Sequence, residues 1–204
     1  MKFIQRLFTR RVAAIALIVV GVGIIVIYGL RSMRSYQQLQ YIQAQGLDNG
    51  TADVSAIQGW MTIRYIGVAY AVPEEYIYAE LDIPFEDGRG DKPLGRLNQE
   101  YQLGQSPNGE YPALVDQVQA AILAYREDPV ATGLADIRRW MTILYIANSS
   151  GVPEDYLLTE LDIPNQDNNS YKPLDHLVKD LRYEGGGRAL EEAIKAALTR
   201  YEAE

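Results

Sequence analysis

One stretch of this chain occurs twice, and its two copies align without a gap. Residues 57–97 return as residues 137–177, so that Trp60 corresponds to Trp140. Outside the tryptophan, the copies share Thr62, Val72-Pro73-Glu74, Glu80-Leu81-Asp82-Ile83-Pro84 and Lys92-Pro93-Leu94, in the numbering of the first copy. Internal repetition defines the structural unit before any local pattern is considered. We therefore predict two homologous units in tandem.

The chain length suits two small units. Its 204 residues divide into a first repeat at 51–128 and a second at 129–204, and units of about 75 residues fold with a modest core. Cysteine is absent, which excludes disulfides and thiolate metal sites. Each unit must therefore rely on packing, and we expect no cofactor and no metal site.

Charge is divided unevenly along the chain. Of the 19 basic residues, 6 precede residue 47, and none of the 27 acidic residues does, which leaves residues 47–204 with a net charge of about −14. An acidic surface of this kind repels phosphate groups. We therefore expect no nucleic acid partner.

Residues 12–30 carry no charge and are mostly aliphatic. A helix of this length rises roughly 28 Å at about 1.5 Å per residue, which matches the hydrocarbon core of a bilayer. We predict a transmembrane helix at 12–30, with membrane lipid as its partner. A cleaved signal sequence is the competing interpretation, although the apolar regions of signal peptides are shorter.

Positive charge flanks this segment unequally. The basic N-terminal flank, residues 1–11, has more positive charges than the stretch that follows the segment, which has Arg31 and Arg34. Because cytoplasmic flanks are richer in positive charge, we predict a single-pass protein of the cell membrane with a cytoplasmic N-terminus and extracytoplasmic repeats. Residues 31–50 are predicted to continue the helix to Gln45 and then to form a linker.

Each repeat is predicted to be helical throughout. Thr62 is a suitable N-cap for a helix over 63–70, and a break follows at Ala71. Pro73 lies in the first turn of a second helix, which is predicted to stop at Ile83-Pro84 because a residue before proline avoids the helical region. The second repeat carries the same signals, with Thr142 as the N-cap of 143–150.

Two further helices complete each repeat. Lys92-Pro93-Leu94 begins a third helix, and apolar residues at helical spacing predict a fourth over 113–125. In the second repeat the fourth helix is predicted over 189–201. The predicted fold class is all-α, with one N-terminal transmembrane helix followed by two tandem, homologous small helical-bundle domains.

The segment Thr62-Ile63-Arg64-Tyr65-Ile66, followed by Val72-Pro73-Glu74, resembles the first two helices of helix-turn-helix domains. It is also similar to the helical pair of LysM modules, which bind peptidoglycan. The LysM resemblance implies a strand on each side of the helical pair. The helix-turn-helix resemblance implies a recognition helix over 73–81, but this stretch has three acids and no base, which does not suit a groove lined with phosphates.

The residues shared by both copies supply few candidates for chemistry. Tryptophan rings can stack on a ligand, although burial in the core is the simpler interpretation. Paired carboxylates can act as acid and base, but Asp82 precedes a helix stop and duplicated catalysis within one chain is unusual. We predict no catalytic residue, and we select as candidate interaction residues Trp60, Glu80, Asp82, Trp140, Glu160 and Asp162.

The sequence thus favours a membrane-anchored, non-catalytic protein-interaction or scaffold module, with a partner protein or a second copy as its ligand. Duplication of a small unit raises the effective concentration at a bivalent partner. Two alternatives stay open: a cell-envelope glycan-binding protein of the LysM type, and a membrane-tethered helix-turn-helix regulator.

Overall fold

The computed structural model describes residues 2–86 and 89–203, and of residues 2–16, 29, 31, 34, 35 and 89 it describes the backbone alone. The chain divides into two compact units, Met1–Ala44 and Gln45–Glu204. Over the described ranges it forms α-helices and short 3₁₀ turns, and no strand occurs there. The all-helical prediction is confirmed.

The N-terminal unit is a single long helix, α1 (Lys2–Gln45). The prediction that this helix continues to Gln45 and is followed by a turn is confirmed, since residues 46–50 form turns and Gly46 and Gly50 have positive φ angles of 69° and 74°. Within the part of the chain whose side chains are described, no helix combines the length and apolarity needed to cross a membrane. The side chains of 12–16 and of residue 29, which belong to the predicted span, lie outside that part.

The second unit contains both repeats. The helices of the first repeat are α2 (Ile63–Tyr70), α3 (Glu74–Glu80), α4 (Leu94–Glu100) and α5 (Leu114–Glu127). Those of the second are α6 (Ile143–Ser150), α7 (Glu154–Glu160), α8 (Leu174–Leu181) and α9 (Gly186–Ala203). Short 3₁₀ turns occur at Val54–Ala56, Arg89–Asp91 and Asn169–Tyr171.

The predicted N-caps are confirmed in both repeats. Thr62 Oγ1 accepts a hydrogen bond from the backbone N–H of Tyr65 at 3.1 Å, and Thr142 makes the same bond to Tyr145 at 3.1 Å. These bonds satisfy one of the free N–H groups at a helix start. Both helices then end in a residue of left-handed conformation, Ala71 with φ 53° and Gly151 with φ 72°. The predicted breaks are therefore in the right place.

The ends of the second helix in each repeat were predicted too late. We expected α3 to run to Ile83-Pro84, but it ends at Glu80 and is followed by Asp82 with φ 52°. Asp162 has the same φ of 52° after α7. Aspartate tolerates this left-handed conformation better than most residues, so the chain leaves the helix two residues before the proline acts. The last helix differs at its start, because α9 already begins at Gly186.

Each repeat encloses an apolar core. In the second repeat, buried residues of all its helices form one cluster that includes Ile143, Leu157, Leu177 and Ile194. Val68 of the first repeat packs against this cluster. The two repeats thus share packing.

Contacts group both repeats within a single compact unit. Asn148 Nδ2 in α6 donates a hydrogen bond to the carbonyl oxygen of Ala71 at 2.6 Å, which joins the ends of the two corresponding helices. The linker before the first repeat also approaches the second, since a Cβ on Gly50 would overlap the ring of Tyr171. The boundary that we predict between 128 and 129 therefore separates two repeats that are in direct contact.

Candidate functional site

A cleft of about 810 Å³ lies between the two repeats. From the first repeat it is lined by Arg64 of α2, by two glutamates at the start of α3 and by Phe85 in the loop after it. The second repeat contributes the segment before α6 together with a tyrosine of that helix: Leu134, Ala135, Asp136, Arg138, Arg139, Trp140, Met141 and Tyr145. Both copies are needed to form this cleft.

Arg64 is the central charged group of the cleft. Its Nε donates to Glu74 Oε1 at 2.9 Å and its Nη1 to Asp91 Oδ1 at 2.6 Å. The guanidinium carbon also lies 5.0 Å from the centre of the Trp140 ring. A cation over an aromatic face is stabilised by the ring quadrupole. One side chain of the first repeat thereby joins two acids of its own repeat to the tryptophan of the other.

The carboxylate of Glu74 is held in a buried position. This residue is only 3% exposed. Burial raises the pKa of Glu74 above its ordinary value, and the neighbouring Arg64 opposes this change without cancelling it. Burial disfavours the charged form of Arg64 as well, but the Glu74 and Asp91 carboxylates outweigh it and raise the pKa of Arg64. The pair is thus a buried acid beside a permanently charged arginine.

Gly90 makes room for this ion pair. A Cβ at position 90 would overlap Oε2 of Glu74 and lie 3.2 Å from an amino nitrogen of Arg64. In the second repeat the corresponding residue is Ser170, whose hydroxyl donates a hydrogen bond to Glu154. The same position thus leaves space for an arginine in one repeat and supplies a hydroxyl donor in the other.

Tyr145 forms a hydrogen bond between the two repeats at the bottom of the cleft. Its hydroxyl accepts a hydrogen bond from the backbone N–H of Glu74 at 3.1 Å, and burial raises the pKa of Tyr145. The bond satisfies an N–H at the start of α3, where Pro73 as N-cap has no side-chain acceptor. The start of a first-repeat helix is therefore capped by a side chain of the second repeat.

The remaining arginines of the cleft lie at its rim and are paired. Arg138 contacts Asp136 at 3.3 Å and Arg139 contacts Glu191 at 3.1 Å. Glu75, unlike these arginines, has an oxygen, Oε2, that is shielded from water and has no hydrogen-bond partner among the described residues. The cleft thus contains one carboxylate oxygen for which the described protein supplies no donor.

Of the candidate interaction residues, the structure places Trp140 in the cleft. Its ring meets Tyr145 edge to face with 5.5 Å between centroids, and like Trp60 it is half-buried. Trp60 packs beside Tyr65 at 6.3 Å and does not line the cleft. The two equivalent tryptophans therefore have different surroundings.

The four candidate acids lie away from the cleft. Glu80 and Glu160 are exposed at the ends of their helices, and Glu160 pairs with Arg200 at 2.5 Å. Asp82 and Asp162 are exposed residues with the positive φ described above. The structure does not bring these acids together with the tryptophans.

Of the residues that line the cleft, we selected Trp140 alone from the sequence. Three of the residues that sequence reasoning missed are Arg64, Glu75 and Phe85. Each differs between the copies, with Leu144, Asp155 and Asn165 at the corresponding positions. A signal was present, because an arginine replaces an apolar residue within an otherwise matching helix. A comparison limited to the residues that both copies share does not identify this arginine.

The cleft offers charge pairs and an aromatic wall but no set of metal ligands, since the described residues contain no group of three or more histidine, aspartate or glutamate side chains placed to hold an ion. The groups that line the cleft can contact other molecules by packing, ion pairing and hydrogen bonding. Comparison with protein-family models, with curated proteins and with solved structures found no match to this chain.

Proposed function

We propose that the repeats form a non-catalytic protein-interaction module, held at a membrane by the N-terminal helix, and that the cleft between them is its binding surface. The observation that carries this proposal is the composition of the cleft. Trp140 and Arg64 are of the residue types that contribute most binding energy in protein interfaces. Here they line one concave surface.

The way the cleft is formed supports an interaction role. Its two walls come from different repeats, and contacts such as that between Asn148 and Ala71 hold the walls together. A preformed surface binds with a smaller loss of conformational entropy than one that must be ordered. Two copies of one unit thus create a surface that neither copy has alone.

Anchoring to a membrane rests on the sequence of residues 12–30. That segment carries no charge, and its described large side chains are exposed, from Leu17 at 76% to Tyr28 at 65%. Exposed apolar surface of this extent marks a membrane or a partner as its environment. The predicted orientation, with the repeats outside the cytoplasm, belongs to the same proposal.

Site-specific photocrosslinking tests the binding surface. A benzoylphenylalanine in place of Phe85, which is 46% exposed at the cleft, is compared with one in place of Leu123, which is 47% exposed on α5. We expect a discrete protein adduct from position 85 and none from position 123. Mass spectrometry distinguishes a second copy of the chain from another protein. Equal labelling at both positions, or none at position 85, contradicts the proposal.

The glycan-binding and helix-turn-helix alternatives rest on local sequence likeness. A LysM module needs a strand on each side of the helical pair, whereas the described residues around α2 and α3 form turns and helices with isolated bridges such as that between Thr62 and Pro93. Sedimentation with purified cell wall tests the first alternative. A reporter at the C-terminus that appears outside the cytoplasm excludes the second.

A further inference from the structure

We propose that the cleft recognises a lysine or arginine side chain carried on an apolar segment of the partner protein, with Glu75 as the acceptor. This inference rests on the proposed interaction function and specifies its ligand. Three features of the cleft lead to it: an oxygen without a donor, arginines that are already paired, and an exposed aromatic ring beside them.

The oxygen without a donor is Oε2 of Glu75. It has no hydrogen-bond partner among the described residues and is shielded from water. A carboxylate oxygen in this situation loses its hydration without compensation. Glu75 lines the cleft, so a cationic donor that enters the cleft and reaches this carboxylate supplies the missing bond.

The arginines of the cleft do not supply this donor. Arg64 is bound to Glu74 and Asp91, Arg138 to Asp136, and Arg139 to Glu191. Lys195 approaches Asp136 at 3.3 Å, which leaves Asp136 with two cationic neighbours. Among the described lining residues, Glu75 is therefore the carboxylate whose charge is not balanced by a neighbour.

The wall of the cleft suits the apolar stem of such a side chain. Phe85 is 46% exposed, and the half-buried Leu134 and Trp140 line the same space. Lysine and arginine bury their methylene groups on apolar surface while the charge binds an acid. The protein already holds one cation in this way, since the guanidinium of Arg64 lies over the Trp140 ring and binds Glu74.

The charge of the whole unit favours the same class of partner. Residues 47–204 carry about −14, and a field of this sign speeds the approach of a basic segment and repels an acidic one. Long-range attraction brings the partner to the surface, and the carboxylate of Glu75 then binds its lysine or arginine.

The probe is an N-acetylated, C-amidated pentapeptide, Gly-Leu-Lys-Leu-Gly, titrated against the full-length chain in non-ionic detergent by isothermal calorimetry. Its analogue with glutamine at the centre has the same leucines and controls for partition into the micelle. We expect saturable binding of the lysine peptide and none of the glutamine peptide. A charge-assisted hydrogen bond supports a loss of roughly tenfold in affinity for Glu75→Gln.

The repeat supplies the matched control. Asp155 occupies the position of Glu75 in the second repeat, so that Asp155→Asn removes the same net charge outside the cleft. We expect this variant to bind like the wild type. A second cleft variant, Phe85→Leu, alters an exposed ring and is expected to weaken binding several-fold.

If Glu75→Gln and Asp155→Asn lose equal affinity for the lysine peptide, binding depends on general charge attraction and the inference is wrong. Unchanged affinity in Glu75→Gln and Phe85→Leu also contradicts it. Failure here is separable from failure of the proposed function. If the crosslink at position 85 persists while the lysine peptide does not bind, the cleft remains a protein-binding surface and only its assigned ligand is wrong.

Discussion

The hydroxyl of Tyr145 accepts a hydrogen bond from the backbone N–H of Glu74 at 3.1 Å, whereas the corresponding hydroxyl of Tyr65 is buried without a partner among the described residues. Two tyrosines at equivalent positions thus differ in one bond. Tyr145 of the second repeat connects the two repeats by this hydrogen bond, whereas Tyr65 of the first repeat contributes packing.

Replacement of each tyrosine by phenylalanine separates these roles. Tyr145→Phe leaves the N–H of Glu74 without its acceptor in a buried place, and we expect a loss of about 1–3 kcal/mol in the free energy of unfolding. Tyr65→Phe removes a hydroxyl that has no hydrogen-bond partner among the described residues, so its effect is expected to be neutral or stabilising. Urea denaturation followed by circular dichroism measures both. Equal losses in the two variants contradict this assignment.

Gly90→Ala is expected to disrupt the ion pair of Arg64 and Glu74. The new Cβ overlaps Oε2 of Glu74, and displacement of this acid leaves a buried charge poorly paired. We expect a loss of about 1–3 kcal/mol in stability. Gly187→Ala is the control, because a Cβ there has its nearest neighbour at 3.9 Å. If Gly90→Ala is as stable as the control, the ion pair does not need this glycine.

The buried acid gives stability a pH dependence of known sign. Burial raises the pKa of Glu74 above its ordinary value of 4.5, so in the window above 4.5 the folded state binds more protons than the unfolded state. Stability contributed by this group therefore falls as pH rises through that window. Glu74→Gln has no such ionisation. We expect the wild type to lose stability relative to this variant between pH 4 and pH 7, measured by urea denaturation, and a constant difference contradicts the prediction.

Membrane attachment predicts a position-specific effect of added charge. Ile24 is 50% exposed and lies within 12–30, whereas Leu39 is 51% exposed and lies beyond it on the same helix. A lysine at the centre of a span opposes insertion by about 2.5–3.5 kcal/mol. We expect Ile24→Lys to reduce the carbonate-resistant membrane fraction and Leu39→Lys to leave it unchanged. A wild-type chain that is absent from that fraction contradicts the anchor.

The helices of the repeats were predictable because local signals determine them. Thr62 and Thr142 cap helices in the expected way, and the breaks at Ala71 and Gly151 follow from the end of apolar periodicity. The early ends of α3 and α7 were not predictable from proline, because the left-handed aspartate acts first. Such a conformation depends on the packing of the following loop.

The cleft was not predictable from what the copies share. Trp140 was a candidate, but its partner Arg64 corresponds to Leu144 in the second repeat. Glu75, whose Oε2 has no hydrogen-bond partner among the described residues, corresponds to Asp155. The contact between these two repeats is heterologous, because Arg64, Glu74 and Phe85 of the first repeat face the segment before α6 in the second. In a heterologous contact the two copies use different surfaces, so the residues in contact differ between them. The residues that the copies share indicate the fold of each repeat, whereas the residues that differ indicate where the repeats contact each other.

The contact of Arg64 with Trp140 makes the two repeats unequal, because the first repeat supplies the arginine and the second supplies the tryptophan. Leu144 occupies the place of Arg64 in the second repeat, and Trp60 that of Trp140 in the first. A chain with its repeats exchanged would bring Leu144 towards Trp60, with no cation to cover the ring and no guanidinium to neutralise the acid below it. The two copies have one architecture, but this contact forms in only one order of the repeats along the chain.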